Sequence, residues 1–221
     1  VLAQLNADAL IAGSESGGQL VLVHRLRKED RTALLERARK AGAEMCARLN
    51  SLRIAEAQLV GLGGDGEATI AMAEGVCLAN YEFRKYKTSG KGNALKKLTV
   101  MGAGITQAAI EELDDVCESV CMARDWVNEP VIFLTATQMA SQIRDLGKQI
   151  GFKVTVFNKQ QIEAFGMGGL LGVNKGSQDP PTFTVLEHKP KNAVNDRPLV
   201  LIGKGVVFDT GGLSLKPTPN S

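Results

Sequence analysis

Histidine is almost missing from this chain: His24 and His188 are the only two in 221 residues. Each closes an apolar, strand-like run and reads as a surface residue at a strand end. That scarcity argues against a Ser–His–Asp triad and against a three-histidine zinc site. Cysteine is also sparse. Cys46, Cys77, Cys117 and Cys121 are scattered and include no C-x-x-C, so they build no disulfide framework. Cys117 and Cys121 stand four apart on one face of an expected helix. Two buried thiols are a better reading of that pair than a metal site, and the whole set suits a reducing compartment. An excess of one charge is lacking too: 26 Lys and Arg oppose 24 Asp and Glu, for a formal net charge of +2. Such balance implies neither a nucleic-acid nor a membrane partner. No apolar run has the length or purity of a transmembrane helix. The opening VLAQLNADALIAG has no basic-then-apolar leader layout and no initiator Met, so we expect a cytoplasmic protein with residues ahead of Val1.

What is present is ordinary for a globular protein, 44% apolar and 23% charged residues. Two periodicities alternate along the chain. Short β-like runs occur at Gln19–Val23, Gln58–Leu62, Lys97–Met101, Lys153–Phe157, Thr182–Glu187 and Pro198–Gly203. Helical patterns fill most of the gaps. Residues 29–49 put Leu34, Ala38, Ala41, Met45 and Leu49 on one stripe. Residues 67–86 read as a second helix. Residues 106–127 read as a third, with Ile110, Leu113, Cys117, Val120, Arg124 and Val127 sharing a face. Residues 135–150 form a fourth, opened by a T-x-x-Q box and striped by Met139, Ile143, Leu146 and Ile150. Strands alternating with helices predict an α/β protein with mixed, largely parallel sheets. Pro130 cannot continue a helix. We therefore expect one α/β domain over 1–105, a connecting helix over 106–127, and a second α/β domain over 128–221.

Three glycine- or lysine-rich stretches invite functional readings. Gly61-Leu62-Gly63-Gly64-Asp65-Gly66 matches G-x-G-x-x-G between a strand and a helix, with Glu82 at a ribose-binding distance. Against this, Glu82 falls inside a helical pattern, and Asp65 sets a negative charge where a pyrophosphate would lie. A plain glycine-rich turn is the better reading. Arg84 to Lys97 carries six basic residues, no acidic one, and aromatic neighbours Phe83 and Tyr86. That mixture suits nucleic acid, but a solvated loop explains it more simply. Gly166 to Gly172 is glycine-dense and apolar, which predicts a tight helix–sheet contact without chemistry.

The last stretch, LVLIGKGVVFDTGGLSLKPTPNS, is the most informative. Lys204 interrupts an apolar strand pattern, where a lysine is costly unless compensated. The same Gly-Lys-Gly string at 90–92 lies in a polar loop, so the apolar setting is the anomaly. Neither lysine is followed by Ser or Thr, which excludes a P-loop. Asp209 follows five positions on. An odd separation puts the two on opposite faces of a regular strand unless the backbone turns at Gly205. An ion pair and a metal site stand as equal readings of this spacing. A lysine ligates only as the neutral amine, which burial beside a divalent cation favours.

The order and wording of several segments resemble the leucine aminopeptidase (cytosol aminopeptidase) family. They are NYEFRKYK at 80–87, ARDWVNEP at 123–130, GMGGLLGVNKGS at 166–177, PPTFTVLEH at 180–188 and LVLIGKGVVFDTGGLSLKP at 199–217. The last is highly specific; the others are individually weak but occur in family order. The resemblance implies a variable N-terminal α/β domain followed by the opening part of a peptidase domain. It implies that Lys204 and Asp209 bind metal, Asp209 bridging two divalent cations (zinc or manganese), and that Lys216 binds the substrate carbonyl. Two adjacent cations would activate water and clamp the reacting centre, and Lys216 would stabilise the developing oxyanion. It further implies a peptide substrate with a free N-terminus, a bicarbonate base and a homohexamer. The family's later M-x-x-M-K-x-D-M and D-A-E-G-R runs, which supply its other carboxylates and the bicarbonate-holding arginine, do not occur here. Two donors cannot hold two cations that each want roughly four to six ligands. We therefore expect a part of a longer enzyme, inactive by itself. The alternative is a nucleotide- or nucleic-acid-binding module using the 61–66 turn or the 84–97 stretch.

Overall fold

The computed structural model of the chain describes residues 11–12, 22–23 and 30–206. The chain divides into two compact units, one ending at Asn128 and one starting at Glu129. The protein is mixed α/β, with one parallel and two antiparallel strand pairs among the described residues. None of the described helices is long and apolar enough to cross a membrane.

The first unit contains β1 (Ile11–Ala12) paired antiparallel with β2 (Leu22–Val23). Helix α1 (Arg31–Ser51) starts where Asp30 caps it, accepting from the Thr32 and Ala33 amides. Four of its five predicted stripe residues, Ala38, Ala41, Met45 and Leu49, are buried, and Leu34 is half-buried. Strand β3 (Glu56–Gly61) pairs in parallel with β4 (Lys97–Gly102), Glu56 opposite Lys97. Between them lies α2 (Gly66–Ala79). The two long helices pack unusually closely. A Cβ on Gly42 would fall 2.0 Å from the Met72 carbonyl oxygen, and one on Gly75 would fall 2.0 Å from that of Arg39. Reciprocal glycines thus let the backbones touch, around a core of Ala38, Ala41, Met45, Ala71 and Met72.

Helix α2 stops well short of the expected residue 86. Asn80 ends it, because its side chain is committed elsewhere: it donates to the Leu95 carbonyl (3.0 Å) and accepts from Asn50 (3.0 Å). Helix α3 (Gln107–Asn128) packs on α2 through Leu113 and Cys117 against Ala73. Its predicted face fails at the end, where Val127 is 86% exposed. The last turn runs past the end of α2. It meets Tyr81 instead, whose hydroxyl donates to Asp125 (2.7 Å) and accepts from Asn128 (3.0 Å).

The second unit opens with α4 (Ala136–Ile150). Thr135 caps it through the Gln138 amide, and Gly151 closes it in the left-handed conformation at φ 94°. Its buried positions are Ala140 and Gly147, small residues, rather than the larger members of the expected stripe. Strand β5 (Lys153–Phe157) pairs antiparallel with β6 (Phe183–Glu187). A salt bridge from Lys153 to Glu187 (2.6 Å) closes one end, and it holds the Glu187 carboxyl below its usual range. Phe157 meets Phe165 and Phe183 at the other end. Two short helices, α5 (Lys159–Ala164) and α6 (Gly168–Asn174), lie between the strands. The tight contact expected of the 166–172 glycines is not made: Gly168, Gly169 and Gly172 have open space where a side chain would go.

Candidate metal centre

Of the three residues singled out in the terminal stretch, the structure places Lys204; Asp209 and Lys216 lie outside the described residues. The expected strand at 198–203 is absent, and Lys204 is exposed rather than buried. Leu199 through Ile202 are exposed as well, Ile202 at 95%. The physical reason is pairing: a strand needs a neighbour for its amides and carbonyls. Among the described residues, β5 and β6 pair only with each other. At Gly205 the run lies beside α4, where a Cβ would be 3.6 Å from Met139 Sδ. Met139 was legible as part of the α4 stripe, but nothing in the sequence links it to residue 205. Among the described residues no three His, Cys, Asp or Glu side chains gather closely enough to hold a metal ion.

The 61–66 turn is built for folding. Asp65 caps α2 by accepting from the Ala68 amide (3.0 Å) and is gripped by Arg31 (2.6 Å). Glu67 joins the same guanidinium. The hydrogen bond from Arg31, seconded by the Ala68 amide, holds the Asp65 carboxyl below its usual range. The α2 N-terminus, where a pyrophosphate would bind, already carries a carboxylate. Glu82 is likewise occupied. It lies beyond the end of α2, not within a helix, and accepts from Arg84 (2.7 Å), Lys87 (3.4 Å) and the Asn93 amide (3.1 Å). The Arg84 bond is the main cause that keeps its carboxyl low.

That glutamate also explains the basic stretch. Arg84 spans the loop to the Ser89 and Gly90 carbonyls. Lys85 stands over the Tyr86 ring at 5.5 Å, and Lys96 donates to the Asn93 carbonyl. Beneath the loop, Asn50 accepts from the Ala94 (2.6 Å) and Leu95 (3.1 Å) amides while donating to Asn80. Sequence reading missed this network, since isolated asparagines carry no periodic signal. The cysteines stay free thiols. Burial and neighbouring Cys77 push the Cys117 thiol up to about 12, which makes it a core residue rather than a nucleophile.

Comparison with known proteins adds what the geometry leaves open. The model of the cytosol aminopeptidase family, catalytic domain, matches residues 121–221. A probable cytosol aminopeptidase of Geobacter sp. (strain M21) is 35% identical over 209 residues, 91% of this chain and 42% of that protein. Another, of Chlorobium limicola, is 40% identical over 163 residues, 67% of this chain and 32% of its own length. The chain thus spans less than half the length of these curated relatives. Among solved structures, the bottromycin maturation enzyme BotP in complex with Mn superposes with a TM-score of 0.78 at 29% identity. The match covers 97% of this chain and 46% of BotP. A mutant of tomato leucine aminopeptidase superposes at 0.69 and 20% identity, over 83% of this chain and 39% of that one, a likeness of fold.

Proposed function

This chain belongs to the cytosol aminopeptidase family, and on that premise we propose that the full-length protein is a two-metal aminopeptidase releasing leucine-like residues from peptide N-termini. The single observation that carries this reading is the family-model match across 121–221, which contains the whole Lys204–Lys216 segment. The manganese complex of BotP supports divalent-cation use. Residues 128–221 are then the opening part of the peptidase domain, and the 221 residues alone are inactive. A cytoplasmic homohexamer belongs to the same proposal.

The donors present fit part of a dinuclear site. An amine nitrogen and a carboxylate suit zinc or manganese, and a carboxylate has two oxygens with which to bridge. They do not complete it, and the described residues offer no further cluster of donors. The remaining ligands are therefore assigned to the part of the protein beyond this sequence. When bound, such cations polarise a carbonyl and acidify water. Lys204 contributes a nitrogen donor from an exposed backbone. Asp209 would contribute a carboxylate. Lys216 donates a hydrogen bond to the scissile carbonyl oxygen as negative charge develops there.

Hydrolysis of leucine p-nitroanilide by the full-length protein with added Mn²⁺ or Zn²⁺ tests the reading. Lys216→Ala should lower kcat by about 10²–10³, the cost of one oxyanion donor. No metal-dependent turnover, or an unaffected Lys216→Ala, sinks the assignment. The binding-module alternative loses ground to two observations: Asp65 already occupies the α2 N-terminus, and Glu82 neutralises part of the basic loop.

A further inference from the structure

Two thiols meet in the seam between α2 and α3. Ala73 and Cys77 stand one turn apart on α2, and Leu113 and Cys117 one turn apart on α3. Ala73, Leu113 and Cys117 form one buried cluster, and Cys77 packs against it. The Cys77 and Cys117 thiols hydrogen-bond to each other. Cys117 is buried and Cys77 half-buried, so one member of the pair can be reached from solvent. Cys121 follows one turn beyond Cys117 and is half-buried too. Helices that meet through alanine and cysteine pack near the lower end of the usual axis separation of about 8–10 Å, which brings facing Cα atoms into the range of about 4.4–6.8 Å that a disulfide spans.

We propose that Cys77 and Cys117 are a redox pair, which a low-molecular-weight disulfide closes into a disulfide stapling α2 to α3. Cys77 loses its proton and attacks the reagent RSSR, forming the mixed disulfide Cys77–S–S–R and releasing RS⁻, which takes up a proton. Cys117 then gives up its own proton and attacks the Cys77 sulfur, and the second RS⁻ leaves and is protonated. The two cysteines lose two electrons and two protons, and RSSR becomes two RSH. Burial shields Cys117 from bulk reagents. The mixed disulfide beside it is the electrophile it can reach, and contact substitutes for nucleophilicity. Burial, and after it Asp114, also pushes the Cys77 thiol up, so closure is slow and answers a sustained oxidant. Cys121 cannot stand in for Cys77 as the partner of Cys117: residues four apart on one helix hold their Cβ atoms about 5–6 Å apart, beyond the about 3.5–4.5 Å of a disulfide.

The test uses the full-length protein and cystamine, a small cationic disulfide suited to the acidic Asp114 beside Cys77. After incubation, free thiols are alkylated, and the digested protein is read by mass spectrometry. The expected product joins the Cys77 peptide to the Cys117 peptide and is lighter than the two reduced peptides by two hydrogen atoms. The linked protein should melt at a higher temperature than the reduced one, because the link constrains the unfolded chain, and dithiothreitol should reverse both changes. Cys77→Ala and Cys117→Ala should each abolish the link, and Cys121→Ala should leave it. Absence of the link in the wild type overturns the inference, as does a link from Cys77 to Cys121. A linked protein that melts no higher than the reduced one overturns the staple. Where an alanine variant fails to fold, the wild-type peptide map alone decides.

Discussion

Gly75→Ala exposes how the first unit is held together. In an exposed helix interior this change stabilises by about 1 kcal/mol, because alanine gives up less backbone freedom on folding. Here the added methyl would lie 2.0 Å from the Arg39 carbonyl oxygen and 2.7 Å from its carbon. Both obstacles are backbone, so no rotamer change relieves them. Helix α1 must move outward by more than 1 Å to restore contact near 3.4 Å. The facing glycine blocks a compensating slide, since Gly42 presses on the Met72 carbonyl with the same 2.0 Å approach. Moving α1 also loosens Ala38, Ala41 and Met45 from Ala71 and Met72. Overpacking of a formed core costs about 1–3 kcal/mol, and a backbone obstacle belongs at the upper end. The net expectation is a loss of about 2 kcal/mol. Urea denaturation of the full-length protein, followed by the circular dichroism of the first unit, should show a lower midpoint at unchanged slope. Gly63→Ala is the control, because nothing lies within 4 Å of its added methyl. It should be neutral or slightly stabilising. If Gly75→Ala is as stable as Gly63→Ala, the close helix contact does not exist as described.

Two further outcomes follow from the polar groups of the same unit. Asn50→Ala removes the acceptor of the Ala94 and Leu95 amides, both buried residues, and should destabilise by about 3 kcal/mol, with faster hydrogen exchange at those two amides; intact protection there would refute the network. Asp65 is held below its ordinary 3.8 by Arg31, so its contribution is fully present above that value and lost as pH falls through its lower folded value. The difference in melting temperature between wild type and Asp65→Asn should be constant from neutral pH down to about 5 and shrink below 3.8. A difference that grows on acidification would reverse the assigned sign.

What could be read from the sequence depended on whether the responsible interaction is local. Strand β5 spans Lys153–Phe157, the bounds of the predicted β-like run, and α1 buries four of its five predicted stripe residues, because burial on one face of a helix leaves a period in the sequence. The end of α2 left no such trace. Leu78 to Tyr86 keeps a helical pattern, and α2 stops because Asn80 finds Asn50 and Leu95, 30 and 15 positions away. Glycine in the sequence did not locate the tight packing. Gly42 and Gly75 look like weaknesses in helices yet make the tightest contact, whereas the 168–172 cluster, which looks like packing, stands open.

The proposed metal-site residues reverse that logic. Local physics flagged Lys204 and Asp209 but left an ion pair and a metal site as equal readings; the family-specific run from Lys204 through Lys216 carried the assignment. A solvent-exposed Lys204 is consistent with this. A ligand's pattern is chosen for a cation and for partners distant in the chain, so its apolar surroundings predict a buried strand only when the neighbouring strands are present to bury it. The exposed apolar run at 199–202 and the open glycines of α6 therefore point the same way. Both are surfaces whose composition exceeds what the described residues need, and the relatives extend well beyond the matched length. Mutations there should be judged in the full-length protein, where Leu201→Asp will cost far more than it does in the 221 residues alone. Equal melting-temperature shifts in the two would show that the run is a surface in its own right.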